Sequence, residues 1–141
     1  MTHEDATPPR GKKTLPPLAT AAVVAGFPSP AEQYAENPLD LNELMVHNAP
    51  ATFYVRVAGD SMSGAGILNG DILVVDKSLA AQNNDIVVAS VGGDFTVKYL
   101  RRRGAKVSLE AANPAYPAIV FASEMELRVW GVATGLVRRF N

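Results

Sequence analysis

The chain has 141 residues, 48% apolar and 19% charged, with a formal net charge of -1. That suits one globular domain with a real core, and it supplies no overall field to draw the protein to nucleic acid or to an anionic membrane. The absence of cysteine excludes a disulfide scaffold and a thiolate nucleophile, and with only His3 and His47 a zinc site would need carboxylates for most of its ligands, so neither a metal nor a cofactor is expected.

No apolar run nears the roughly 20 residues of a membrane-spanning helix. Arg10, Lys12 and Lys13 precede LPPLATAAVVA in the manner of a secretory signal, but Pro16, Pro17 and Thr20 interrupt the apolar segment. A soluble, cytoplasmic protein is therefore expected.

Residues 1 to about 28 are rich in proline and small residues and sustain neither helical nor strand periodicity, so they read as an extended arm. Ser29-Pro30-Ala31-Glu32 then combines a serine cap, a proline suited to the first helical position and a glutamate three residues on. This predicts a short helix to about Glu36, stopped by Asn37-Pro38. Asp40-Leu41-Asn42-Glu43 repeats the cap logic and predicts a second helix through Leu44, Met45 and Val46.

From Thr52 onward the runs TFYVRV, DILVVD, DIVVASV, DFTVKYL, KVSLEA, AIVFA and LRVWGVATGLV follow one another at short intervals, separated by Gly, Asn, Asp and Pro. The fold class expected is mostly β: a compact, strongly bent antiparallel sheet with short N-terminal helices and an extended arm. Between two of these runs, Val91-Gly92-Gly93-Asp94 predicts a tight hairpin pairing 85–91 with 94–100, because both glycines tolerate positive φ.

The chemistry-bearing stretch is Ala58-Gly59-Asp60-Ser61-Met62-Ser63-Gly64, where glycines break a strand and set a serine at a turn with main-chain N–H groups able to point outward. A serine hydroxyl becomes a nucleophile only when a base takes its proton and donors await the oxyanion. His3 falls in the arm, whereas His47 follows the second helix and keeps a Ser/His/Asp triad open. Lys98 lies 37 residues beyond Ser61 in an otherwise apolar or hydroxylated run, FTVKYL. A lysine acts as a base near neutral pH only where burial disfavours its charged form. The competing reading has Lys98 snorkelling from an edge strand, and alternation leans that way, since Lys98 shares a face with Asp94 and Thr96.

Ala25-Gly26, GDSM at Gly59 to Met62 and FTVK at Phe95 to Lys98 together resemble the S24 self-cleaving serine peptidases of the LexA/UmuD superfamily. GFPSPAEQYAENPLDLNEL resembles the UmuD branch, and the similarity runs from about Val24 to Phe140. The resemblance implies that Ser61 is the nucleophile, Lys98 the general base and Ala25-Gly26 the scissile bond. The backbone amides of Asp60 and Ser61 would form the oxyanion hole, the Asp60 side chain would shape the turn, and Met62 would pack nearby. It divides the chain into an arm, 1–25, removed by self-cleavage, and a peptidase-like domain, 26–141. It also implies a homodimer, a RecA filament on single-stranded DNA that promotes cleavage, and a Y-family (UmuC-like) polymerase catalytic subunit that receives the product for translesion synthesis in the SOS response.

Many repressors of the superfamily start with a helix-turn-helix domain, for which the residues ahead of Gly26 offer no helical period, so operator binding is not expected. Where some members carry cysteine before the scissile glycine, Ala25 keeps a small side chain. Two other classes remain open at this point: a non-catalytic dimeric binding module for damage tolerance, and a peptidase acting on other proteins. Arg101-Arg102-Arg103-Gly104 reads as a solvated basic turn, though phosphate or protein contacts are alternatives. Trp130 is expected in the core, and Phe140 either closes that core or forms a dimer surface.

Overall fold

The computed structural model describes residues 14–19, 22–26, 36–122 and 126–141. They divide into two compact units, Met1–Leu44 and Met45–Asn141.

In the first unit, β1 (Pro17–Ala19) pairs antiparallel with β2 (Glu36–Pro38), with Pro17 opposite Pro38. Prolines are tolerated in a two-stranded ribbon because an N–H missing from a free edge breaks no ladder. The arm thus contains a strand that its composition did not suggest. Glu36 and Asn37 lie in β2 rather than at a helix end, and the remainder of the helix expected from Ser29 falls outside the described residues. The second expected helix forms as α1 (Leu41–Met45), with the Asn42 N–H donating to the Asp40 carboxylate at 2.9 Å, an N-cap bond.

The second unit is one antiparallel sheet of seven strands: β3 (Thr52–Arg56), β4 (Ile72–Asp76), β5 (Ile86–Val91), β6 (Asp94–Arg103), β7 (Lys106–Glu110), β8 (Ile119–Phe121) and β9 (Arg128–Val137). The spatial order is β3-β4-β9-β5-β6-β7-β8. The β5–β6 hairpin closes at Val91↔Asp94 through Gly92 (φ 59°) and Gly93 (φ 90°), as the glycine pair predicts.

Successive residues of a strand face opposite sides, and both sides of this sheet are covered. Val87, Ala89, Leu100, Val107, Leu109, Phe121 and Val132 form one apolar cluster. Val88 turns the other way and joins Val57, Met62, Ile67, Leu73 and Val75. Two register shifts in β9, opposite Val74/Val75 and Val88/Ala89, leave Thr134 and Trp130 as the extra residues of β-bulges. Trp130 is half-buried against the second cluster and meets Phe95 edge to face at 5.1 Å. Phe140 is 92% exposed, so it does not close the core.

The three arginines are not a turn. β6 runs through Arg103, and the turn falls at Gly104 and Ala105, because the ladder to β7 continues through Arg101↔Ser108, Arg102↔Val107 and Arg103↔Lys106. Arg101 is bound to Glu110 at 3.1 Å and Arg102 donates to the Ala81 carbonyl at 2.9 Å.

Candidate active site

The site begins where β3 ends. Gly59, at φ 90°, turns the chain in a conformation that disfavours other residues, and its N–H donates to Asn69 Oδ1 at 2.9 Å. Asp60 follows exposed and Ser61 half-buried, and Met62, only 2% exposed, roots the turn in the second apolar cluster. A short 3-10 turn, Ser63–Ala65, then leads away.

Lys98 arrives from a different part of the sheet. It lies on β6, an interior strand between β5 and β7, and is 8% exposed. The edge-strand expectation fails at this position through burial and through the bonds the amine makes, since β7 pairs with β6 only from Tyr99 onward. Val87, directly opposite Lys98, and Leu100, two residues along the same face, are both fully buried and make the surroundings dry. The face shared with Thr96 is not a solvent face either, since Lys98 Nζ donates to Thr96 Oγ1 at 2.7 Å and to Ser61 Oγ at 3.1 Å. Lys98 makes no ion pair among the described residues. Burial pushes its pKa below the ordinary lysine value, because desolvation disfavours the ammonium.

Topology explains why Ser61 can reach Lys98. The β6–β7 ladder stops at Tyr99↔Glu110, one residue short of Lys98. The chain beyond Glu110 leaves the sheet and bonds to the serine turn instead: the Ala112 N–H donates to the Ser61 carbonyl at 2.9 Å, and the Gly64 N–H donates to the Ala112 carbonyl at 2.7 Å. Among the described residues, the N–H groups of Asp60, Ser61 and Met62 donate to no protein acceptor, which leaves them available to a ligand oxygen. The Asp60 carboxylate accepts from Tyr116 Oη at 2.6 Å, a bond that raises the pKa of the phenol above its ordinary value.

A cleft of about 230 Å³ opens on Ser61, walled by Val55, Arg56, Val88, Phe95 and Val97. Val55, Val88 and Phe95 also wall a neighbouring apolar cavity of about 390 Å³, lined further by Phe53 and Trp130.

His47 is exposed and lies near Asp76, whose pKa falls mainly through the Ser78 hydroxyl and N–H bonds, with a smaller contribution from His47. His3 lies outside the described residues. Ala25 and Gly26 form an exposed bend within the first unit. No cluster of potential metal ligands occurs among the described residues, and none of their helices is long and apolar enough to cross a membrane.

Asn113 and Tyr116, absent from the sequence reading, join this site through Asp60. Their segment, NPAYP, carried a loop signal and no sign of where the loop lands.

Residues 17–134 match the family described as Peptidase S24-like. Protein SamA of Salmonella typhimurium is 43% identical over 123 residues, covering 87% of this chain and 85% of SamA. Protein ImpA of Salmonella typhimurium is 39% identical over 137 residues, covering 97% of this chain and 93% of ImpA. The LexA repressor of Bordetella avium is 40% identical over 116 residues, which span 82% of this chain but 54% of the repressor.

Proposed function

The chain belongs to the Peptidase S24-like family, and we propose that it is a UmuD-type member that cuts itself between Ala25 and Gly26 by a Ser61/Lys98 dyad. The observation that carries this reading is the 3.1 Å approach of Lys98 Nζ to Ser61 Oγ in dry surroundings. A neutral amine at that place accepts the serine proton, and desolvation favours the neutral form.

In the proposed reaction Ser61 Oγ attacks the Ala25 carbonyl carbon as its proton passes to Lys98. The N–H groups of Asp60 and Ser61 receive the oxyanion. Collapse breaks the Ala25–Gly26 bond, Lys98 returns the proton to the Gly26 nitrogen, and residue 25 stays esterified to Ser61. Lys98 then takes a proton from water, whose oxygen attacks the ester, and returns it to Ser61 Oγ as residues 1–25 leave. The small side chains of Ala21 to Ala25 suit an extended segment in the cleft at Ser61, and Gly26 adds no bulk beside the attacked carbonyl.

The retained 26–141 portion would dimerise and serve, in the cytoplasm, as the regulatory subunit of an error-prone Y-family polymerase in the SOS response. Cleavage would be promoted by RecA on single-stranded DNA.

Incubation of the purified protein at rising alkaline pH, with intact mass as readout, tests the reaction. The expected product begins at Gly26, and neither Ser61→Ala nor Lys98→Ala yields it. A wild type that stays whole at alkaline pH and with activated RecA, or two variants that are still cut, would sink the assignment. Mixing active protein with Ser61→Ala and following the inactive chain's arm separates cutting in trans from cutting in cis.

A further inference from the structure

We propose that Asn113 and Tyr116 are positioning residues that fix the main-chain donors around Ser61, so that the loop after β7 sets the strength of the oxyanion hole. The inference rests on the self-peptidase reading above and deepens it.

A peptide unit is planar and trans, so its C=O and the following N–H point in opposite directions. Whatever holds the Asp60 carbonyl therefore aims the Ser61 N–H, one of the two oxyanion donors, and whatever holds the Ser61 carbonyl fixes the peptide on the other side of the nucleophile. Both carbonyls are held. The Asp60 carbonyl accepts from Asn113 Nδ2 at 3.0 Å and from the Ser63 N–H at 3.1 Å. The Ser61 carbonyl accepts from the Ala112 N–H at 2.9 Å.

The loop making these bonds is itself braced. Asn113 Oδ1 accepts from the Ala115 N–H at 2.9 Å, the Asn113 carbonyl accepts from the Tyr116 N–H at 3.1 Å, and Pro114 and Pro117 restrict the backbone between and beyond. Tyr116 then reaches back to the Asp60 carboxylate at 2.6 Å. One asparagine and one tyrosine thus grip both the main chain and the side chain of the residue before the nucleophile. A charge-assisted bond is the stronger sort, which suits the phenol for holding a turn that its own short span cannot rigidify.

Neither residue hydrogen-bonds to Ser61 Oγ or Lys98, so their loss should change the rate constant of the chemical step and leave the titration of the base alone. Tyr116→Phe keeps the ring and removes only the hydroxyl. Its expected effect is a plateau rate of self-cleavage lower by about tenfold, and for Asn113→Ala by between ten- and a hundredfold, smaller than the loss of an oxyanion donor outright. The pH midpoint of the rate should match wild type for both variants.

The experiment measures self-cleavage against pH for wild type, Tyr116→Phe, Asn113→Ala, Asp60→Ala and the Asp60→Ala/Tyr116→Phe double variant, together with melting temperatures. If Tyr116 acts through the Asp60 carboxylate, the double variant is no slower than Asp60→Ala. Losses that multiply, a shifted midpoint with an unchanged plateau, or wild-type rates in Tyr116→Phe and Asn113→Ala would each overturn the inference. Rate losses that vanish when every variant is assayed well below its melting temperature would also overturn it, by assigning the loop a purely structural role. A wild type that never cleaves refutes the self-peptidase reading and this inference with it; a wild type that cleaves beside equally fast variants refutes the inference alone.

Discussion

Replacing Gly64 with alanine should disable the serine turn out of proportion to the one carbon added. A Cβ at Gly64 would fall well inside 3.0 Å of the Ala112 carbonyl oxygen and 3.3 Å from its carbon, and this neighbour is backbone, which has no rotamer to yield. The Gly64 N–H bonds to that same oxygen at 2.7 Å, and the Ala112 N–H bonds to the Ser61 carbonyl at 2.9 Å, so separating the two segments strains both bonds.

Overpacking costs about 1–3 kcal/mol and each of the two weakened bonds about 0.5–1.5 kcal/mol, which places the total at about 2–6 kcal/mol. For a chain of this size that corresponds to a fall in melting temperature on the order of 10 °C. Gly66 is the matched control: it stands at φ 80° with nothing within 4 Å of a built Cβ, so alanine there incurs only the left-handed strain, about 1–2 kcal/mol.

The assay is the melting temperature by calorimetry, combined with self-cleavage at a temperature where both variants are folded. Gly64→Ala should lose most of the cleavage rate because the peptides flanking Ser61 move, whereas Gly66→Ala should keep most of it. A Gly64→Ala variant within 2 °C of wild type and within twofold in rate would refute the argument that Ala112 braces the turn.

Three further outcomes are expected. Lys98→Met should abolish cleavage yet melt above wild type near neutral pH. Because the folded-state pKa of Lys98 is lowered from 10.5, the unfolded chain binds more protons between the two values, wild-type stability rises with pH through that window, and the gap to the Met variant should narrow there; a constant gap would count against a buried lysine. Thr96→Val removes an acceptor 2.7 Å from Lys98 Nζ, so it should slow cleavage and alter its pH midpoint, unlike Tyr116→Phe; an unchanged profile would show that Thr96 does not hold the amine. Asp71, fastened by Arg138 Nε at 2.6 Å and by the Leu68 N–H at 2.7 Å, has its pKa lowered from 3.8 to about 2. Its contribution is present above 3.8 and lost as pH falls toward 2, so Arg138→Ala should weaken the acid-induced loss of melting temperature in that range; an unaltered acid profile would refute this coupling.

How much of this was legible in the sequence follows from how local each signal is. Strands β3 to β9 start and end within a few residues of the apolar runs, because alternation and the glycine, asparagine and proline breakers act over a handful of residues. The Gly92-Gly93 hairpin is the clearest case, since its register depends only on its own turn. The β1–β2 pair was hidden: three residues with a proline in each strand carry no period-2 signal, and partners 17 residues apart even at the closed end, Ala19 and Glu36, are not local. The basic run at Arg101 misled because charge suggests a turn, whereas cross-strand bonding to β7 extended the ladder through it.

Lys98 shows the same division within the site itself. Its neighbours in sequence on that face, Thr96 two residues before and Asp94 four residues before, describe a polar, exposed strand face. What makes it a candidate base lies elsewhere in the chain: Val87 across the hairpin, and the serine turn held where the β7 ladder ends at Glu110. A strand's own alternation assigns residues to two faces but not to dry and wet ones, and the choice is made by whichever segments pack there. The polar residue on that face, Thr96, is consequently no evidence of solvent; it is the hydroxyl that satisfies a buried amine. The same logic makes the NPAYP loop unreadable in isolation and consequential in place, because its hydrogen bonds gain their meaning from Asp60, more than fifty residues away.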